Sequence, residues 1–317
     1  MKLSLFSTLR GYRKEYLPKD IFSGIIIAAV SIPISMGYAQ ISGIPAVHGL
    51  YGSVLPILLF ALFSTSRQFI FGVDAAPAAI VGGALSTLGI AAESEAAMDY
   101  VPAIALFAGL WLFIFFLLHA DKIVDFISTP VMGGFISGIA VTIILMQIPK
   151  LMGSPAGSGE LLKLAEHIFA AAKNISWLSL FMGLGALVLI RTFKKLAPKF
   201  PMAIVIMALG VLSTVVFHVD EKGVVLLQSV ERGLPSLVIP DFGNVDLTQA
   251  AGRGLMVAVV IMAETLLAEN TFAFRNDYKL NDRQEILACA AGNIAAAAVG
   301  CCPVNGSISA PPSMNST

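Results

Sequence analysis

Charge is what this sequence is short of. Asp, Glu, Lys and Arg make up 13% of its 317 residues, against about 25% in a soluble domain. None of the four occurs between Asp20 and Arg67. A water-soluble globular fold is excluded on that supply. The charges that are present cancel, with 20 basic and 20 acidic residues. A nucleic-acid binder needs a basic excess to displace counterions, so that partner is excluded too. Cysteine is equally scarce. Cys289, Cys301 and Cys302 all lie near the C-terminus, without the spacing of a zinc site or a disulfide framework, and are assigned to packing. His48, His119, His167 and His218 fall near the ends of apolar runs and are read as interfacial. No nucleophile or metal constellation stands in the apolar runs, so the chain does not read as an enzyme and calls for no cofactor.

What is abundant is hydrophobic sequence: 57% of residues, with a mean hydropathy of +0.84. Crossing a bilayer takes roughly 20 apolar residues, and inside lipid only a helix satisfies every backbone group within such a run. The expected fold class is therefore all-α and polytopic, in a lipid bilayer. Spans are expected at about 21–40, 50–65, 75–91, 100–119, 130–149, 175–192, 200–217, 250–269 and 286–299. The first run is too long for a signal-peptide core and reads as a transmembrane helix. Residues 5–19, with Phe6, Leu9, Tyr12 and Tyr16 against Arg10, Arg13 and Lys14, are expected to form an interfacial amphipathic helix. If the spans alternate, Arg10, Arg13, Lys14, Arg191, Lys194, Lys195, Arg275 and Arg283 share one side. Glu93, Glu95, Asp99, Asp220 and Glu221 share the other. The positive-inside rule then makes the N-terminus cytoplasmic, in a multi-pass protein of the cell (inner) membrane.

Glu264 stands out against this background. Every other residue of 254–268 is uncharged, and Arg253 and Arg275 flank it at equal distance. A charge near mid-bilayer costs at least about 2.5–3.5 kcal/mol on insertion scales, so it faces a cavity or a partner. Two further segments break the apolar pattern: Gly-Val-Asp-Ala-Ala-Pro at 72–77 and Gly-Cys-Cys-Pro-Val-Asn-Gly-Ser-Ile-Ser at 300–309. Paired interruptions of this kind point to a transporter site, because a half-helix N-terminus offers free N–H groups to an anion. In the first span Pro33 removes a backbone donor and is expected to bend the helix, with Tyr38 beyond it. Small residues at Gly24 and Ala28, and at Gly134 and Gly138, suggest close helix packing.

These residues carry a family resemblance. Asp20-Ile-Phe-Ser-Gly24, Ile32-Pro-Ile-Ser-Met-Gly-Tyr-Ala39, Gly43-Ile-Pro45 and Gly49-Leu-Tyr51 resemble the opening of the SulP (sulfate permease, solute carrier 26) family. Thr65-Ser-Arg67 followed by Gly72-Val-Asp-Ala-Ala76 resembles its third-span entry. Ala263-Glu-Thr-Leu-Leu267, the stretch 281–285, Ala291-Gly-Asn293 and 303–309 resemble its spans eight to ten. The resemblance implies two intertwined inverted repeats of seven spans, a core and a gate domain, and a homodimer in the full-length form. It implies a site for small inorganic or carboxylate anions (sulfate, bicarbonate) between the half-helices of spans three and ten. That site would be lined by Tyr38, Asp74, Ala75, Ala76, Glu264, Ser307, Ile308 and Ser309.

The expected organisation is 1–19 as a cytoplasmic N-terminus and 20–217 as the first repeat. Residues 218–249 form an extracellular segment and 250–317 a partial second repeat. On the family pattern, spans eleven to fourteen and the STAS domain are absent, so the chain reads as truncated after the start of span ten. It also departs from the pattern at Ile34, where many members carry Gln, and at Ala310, where many carry Arg. Asp74 reads most simply as an N-cap. With no Arg at 310, two ionised carboxylates would repel an incoming anion, by about 4 kcal/mol per like pair at 4 Å and an effective dielectric near 20. Glu264 is therefore expected to bind a coupling ion, H+ or Na+. A nucleobase–proton symporter of related fold, and a non-transporting fragment, are the other readings.

Overall fold

A computed structural model describes residues 5–7, 12–67, 69–124, 129–155, 157, 161–196, 202–226, 233, 235–238 and 240–307. After a short 3-10 turn at Lys14–Tyr16, the chain enters helix α1 (Leu17–Ile41), which continues through Pro33. The expected amphipathic helix over 5–19 is corrected here. Its described part is a turn near Phe6 and the 3-10 turn, and 17–19 already belong to α1. Pro18 near the first turn is the reason, since proline suits a helix start and not an interior.

The second expected span is two helices, α2 (Ala46–Gly52) and α3 (Leu55–Phe63), separated before Pro56. The third, expected at about 75–91, becomes helical from its first residue as α4 (Ala75–Thr87), and an extended strand, β1 (Ile70–Val73), precedes it. Next come α5 (Glu95–Leu117), a short α6 (Asp121–Val124) and α7 (Thr129–Leu151). Helix α8 (Leu161–Lys173) was not expected. It meets α9 (Trp177–Leu196) at a 117° bend. Helix α10 (Met202–Phe217) precedes a polar stretch of sequence, and α11 (Leu247–Arg275) and α12 (Asp282–Ala298) follow. Strand β2 (Val304–Ser307) closes the described chain and pairs antiparallel with β1.

Among the described residues four helical stretches are long and apolar enough to cross a membrane: Lys14–Ile41, Ala46–Phe63 (α2 and α3 taken together), Glu95–Leu117 and Leu247–Arg275. The bent α8–α9 pair passes the same test as one unit. Broad apolar faces stay outward, such as Ile21, Phe22 and Ile25 on α1 and Val211, Val215 and Val216 on α10. Helices that are apolar on their outer face suit a lipid solvent.

The core lies where α3, α4, α5, α11 and α12 surround the two strands. Helix α12 is almost a run of alanines, and Ala288, Ala290, Ala295, Ala296 and Ala297 are all buried. Such small side chains let it approach α5 closely. At Gly109 on α5, a Cβ atom would run into Ile294 and the Ala290 carbonyl. At Gly254 on α11, it would run into Phe107 and Ala108. The small residues expected to mark close packing are not the ones that do. A Cβ built at Gly24, Gly134 or Gly138 meets nothing within 4 Å. The spacing of small residues does not say which helix face has a neighbour. The three cysteines are buried and free, as the packing reading requires.

Candidate functional site

Glu264 sits near the middle of α11 and is 7% exposed. Its helix starts cleanly because Asp246 Oδ1 accepts the N–H groups of Thr248, at 2.9 Å, and Gln249, at 3.2 Å. That capping satisfies donors that would otherwise be orphaned. Glu264 finds its partner on β2, where Asn305 Nδ2 donates to Glu264 Oε2 at 2.8 Å. The other end of the same amide, Oδ1, accepts the hydroxyl of Thr265 at 2.7 Å. Two successive residues of α11 thus hold one side chain of the strand.

The strand itself is held from α12. Asn293, buried among alanines, donates Nδ2 to the Val304 carbonyl and accepts the Val304 N–H at Oδ1, both at 2.9 Å. Its amide group thus bonds both backbone groups of Val304, the strand residue that opposes Val73. Asn293 also donates to the Cys289 carbonyl within its own helix.

Across the ladder, Gly72 of β1 opposes Asn305 and Val73 opposes Val304. The next residue, Asp74, is extended and caps α4. Its carboxyl faces the N–H groups of Ala75 and Ala76 and the side chain of Asn305, although it closes no capping bond of standard geometry. Tyr38, partly buried at the end of α1, and Glu264 both lie within electrostatic reach of Asp74. Of the sequence-predicted residues, Tyr38, Asp74, Ala75, Ala76 and Glu264 therefore meet at one place. Ser307 is in β2 opposite Ile70, at the far end of the ladder from Asp74. Ile308, Ser309 and Ala310 lie outside the described residues.

Sequence reasoning missed Asn305, Thr265 and Asn293. A signal was present for two of them. Asn293 is the one polar side chain in the alanine-rich stretch 286–298, and Asn305 is the amide in a segment already marked as interrupted. What the sequence lacks is any sign that both amides turn toward the same strand end.

A second polar cluster joins the turn after α3 to the start of α12. Glu285, fully buried, accepts the Ser64 hydroxyl at 2.7 Å and the Thr65 N–H at 2.5 Å, and it also accepts the Thr65 hydroxyl. Gln284 Nε2 donates to the Phe63 carbonyl at 2.6 Å. A cavity of about 690 Å³ between α1, α3 and β1 is lined here by Ser31, Ser53, Ser64, Ser66 and Arg67 among apolar residues.

The sulfate permease family profile matches residues 17–311. A probable sulfate transporter of Mycobacterium tuberculosis is 26% identical over 95% of this chain and 53% of its own length. The chloroplastic sulfate transporter 4.1 of Arabidopsis thaliana is 30% identical over 96% of this chain and 45% of its own. The chain thus spans about half the length of the curated relatives it matches. Among solved structures, the murine solute carrier 26 member A9 anion transporter, in an inward-facing state, superposes with a TM-score of 0.82. It shares 17% identity and aligns over 96% of this chain and 54% of its own. The transmembrane domain of a cyanobacterial bicarbonate transporter, BicA, gives a TM-score of 0.80 at 19% identity, covering 94% of this chain and 76% of its own. At these identities the two structures establish a shared fold.

Proposed function

We propose, from the premise that this chain belongs to the sulfate permease family, that it forms the substrate-carrying part of a secondary transporter for small inorganic anions. Sulfate and bicarbonate are the leading candidates, since they are what the similar proteins are named for. The single observation that carries the reading is the convergence of Asp74, Glu264 and Asn305 at the start of α4. A half-helix that begins inside the fold turns the N–H groups of its first residues, Ala75 and Ala76, toward that point. This is an arrangement suited to an oxyanion. Ser307 at the end of β2, with Ile308 and Ser309 after it, would complete the site from the other side. Two inverted repeats of seven spans, a cytoplasmic N-terminus, an inner-membrane location and a homodimer belong to the same proposal.

The site carries more negative than positive charge, which shapes the mechanism. Two carboxylates close together oppose an anion by several times the thermal energy. Asn305 donates only one hydrogen bond to each side of this balance and brings no charge. A cation arriving with the anion resolves the conflict, so transport is coupled, with Glu264 as acceptor of H+ or Na+. The anion itself makes and breaks no covalent bond; with H+ as the coupling ion, one O–H bond forms on Glu264 and breaks again on release. The carboxyl group is neutralised, which releases the Asn305 N–H that Glu264 accepted; the anion is held by backbone N–H groups and that released donor, and both ions cross together.

The test is uptake of radiolabelled sulfate or bicarbonate by the full chain in proteoliposomes, with and without imposed pH and sodium gradients. Glu264→Gln should uncouple uptake from the effective gradient. Identical transport by this variant under every gradient sinks the coupling role. Competition by uracil but not by sulfate or bicarbonate would overturn the anion reading in favour of a nucleobase symporter.

A further inference from the structure

Five residues along α11 from Glu264 lies a carboxyl group that the proposed transport site does not use. Glu269 is 0% exposed, and neither of its carboxyl oxygens has a hydrogen-bond partner. At 1.5 Å per residue it stands about 7.5 Å from Glu264 along the helix axis, toward the end that carries Arg275. The charged groups acting on it are Glu285 and Asp282 of α12, both acidic, and Cys289 of the same helix faces it as well. Asp121 of α6, which also packs on α11, leaves Oδ1 buried without a partner. The nearby cation on α12, Arg283, donates to the Phe116 carbonyl at 3.0 Å and stacks over the Phe116 ring.

The neighbouring polar atoms divide unequally between the two acids. Glu285 already accepts two hydroxyls and a backbone N–H, from Ser64 and Thr65, the environment of an ionised carboxylate. Glu269 receives no such donors. Ser66, 7% exposed, turns its hydroxyl toward Glu269, and that hydroxyl is itself buried and unpartnered. A second ionised carboxylate, buried without donors beside a first, is among the costliest arrangements a protein can hold. One proton removes the problem, because a neutral carboxyl becomes a donor and Glu285 is the adjacent acceptor.

We propose that Glu269 and Glu285 hold a single proton between them, and form a proton-binding site separate from Glu264. A metal cation fits less well. The unfilled oxygens among these described residues are the two of Glu269, the Ser66 hydroxyl and Asp121 Oδ1, whereas hard cations bind with six or more oxygen ligands. Access is available, since Ser64 and Ser66 also line the 690 Å³ cavity between α1, α3 and β1. The proton ties α11, which carries Glu264, to the turn after α3 and to α12. This assignment depends neither on the transported anion nor on the coupling ion.

The test is infrared difference spectroscopy of the purified full chain in lipid nanodiscs at neutral pH, in H2O and D2O. A neutral carboxyl group gives a C=O stretch well separated from carboxylate bands, and it shifts on deuteration. One such band should be lost in Glu269→Gln, shift in Ser66→Ala, and survive in Glu264→Gln. Survival of every neutral-carboxyl band in Glu269→Gln overturns the proposal. If that variant does not fold, an unshifted spectrum in Ser66→Ala does the same. Loss of the band on adding sodium to the native chain would replace the proton with a metal ion and also overturn it. Failure of the Glu264 transport experiment leaves this result untouched, so the two readings fail separately.

Discussion

Asn293 and Val304 form a closed pair: the side-chain amide of one both donates to and accepts from the backbone of the other, at 2.9 Å each way. The pair fixes the start of β2, and β2 presents Asn305 to Glu264. Position in the site is therefore set from α12, one helix away from the carboxyl group it serves.

Asn293→Ala leaves the N–H and C=O of Val304 buried without partners. Unsatisfied groups of this kind cost about 1–3 kcal/mol each. The variant should show a markedly lower melting temperature in detergent, and Asn293→Asp, which keeps the acceptor, a smaller drop. Equal and unchanged melting of both variants would remove the bracing role.

Asn305 offers a sharper functional readout, because it touches Glu264 and Thr265 and faces Asp74. Asn305→Ala should raise the half-saturating anion concentration about tenfold, corresponding to one lost hydrogen bond to a charged group. Asn305→Asp adds a third acid and should abolish uptake while the protein still folds. Uptake kinetics in proteoliposomes decide both, and native behaviour of Asn305→Asp would contradict the electrostatic account.

Helix contact is tested at glycines. Gly109 and Gly254 meet neighbours that a Cβ atom would strike, whereas Gly24 meets nothing. Gly109→Val and Gly254→Val should destabilise by about 1–3 kcal/mol through overpacking. Gly24→Val should melt within a degree or two of the parent. The comparison needs only thermal unfolding in one detergent.

The cap on α11 carries a modest prediction. Asp246 accepts two backbone N–H groups at the helix start. Asp246→Ala should cost about 1 kcal/mol of stability and Asp246→Asn much less. Anion uptake should be little changed, since the cap is about eighteen residues before Glu264, some 27 Å along the helix.

Much of the fold was legible because burial in lipid is a property of single residues and their runs. The nine apolar stretches each became helical, and the interruption at 72–77 became the passage from β1 to α4. Glu264 was legible for the same reason, as a lone acid in an apolar stretch. The helix over 5–19 was misread because amphipathic spacing outweighed the start signal at Pro18. Helix α8 was overlooked because it is short and amphipathic, and so makes no apolar run. The close contacts were placed at Gly24 and Gly134 for want of any local mark of a neighbour.

By itself the sequence determined that this chain lives in a bilayer, where its apolar runs begin and end, and which acid is anomalous within them. Those are consequences of solvent preference, which each residue carries wherever the chain puts it. Tertiary structure alone decided that β1 meets β2, that Asn305 reaches Glu264, and that Glu269 lies unpartnered beside Glu285. These relations join residues on separate segments of the chain. They exist only once helix packing has set the distance between α11, α12 and the strands, and hydrogen bonding falls off too steeply with distance for any local pattern to encode it.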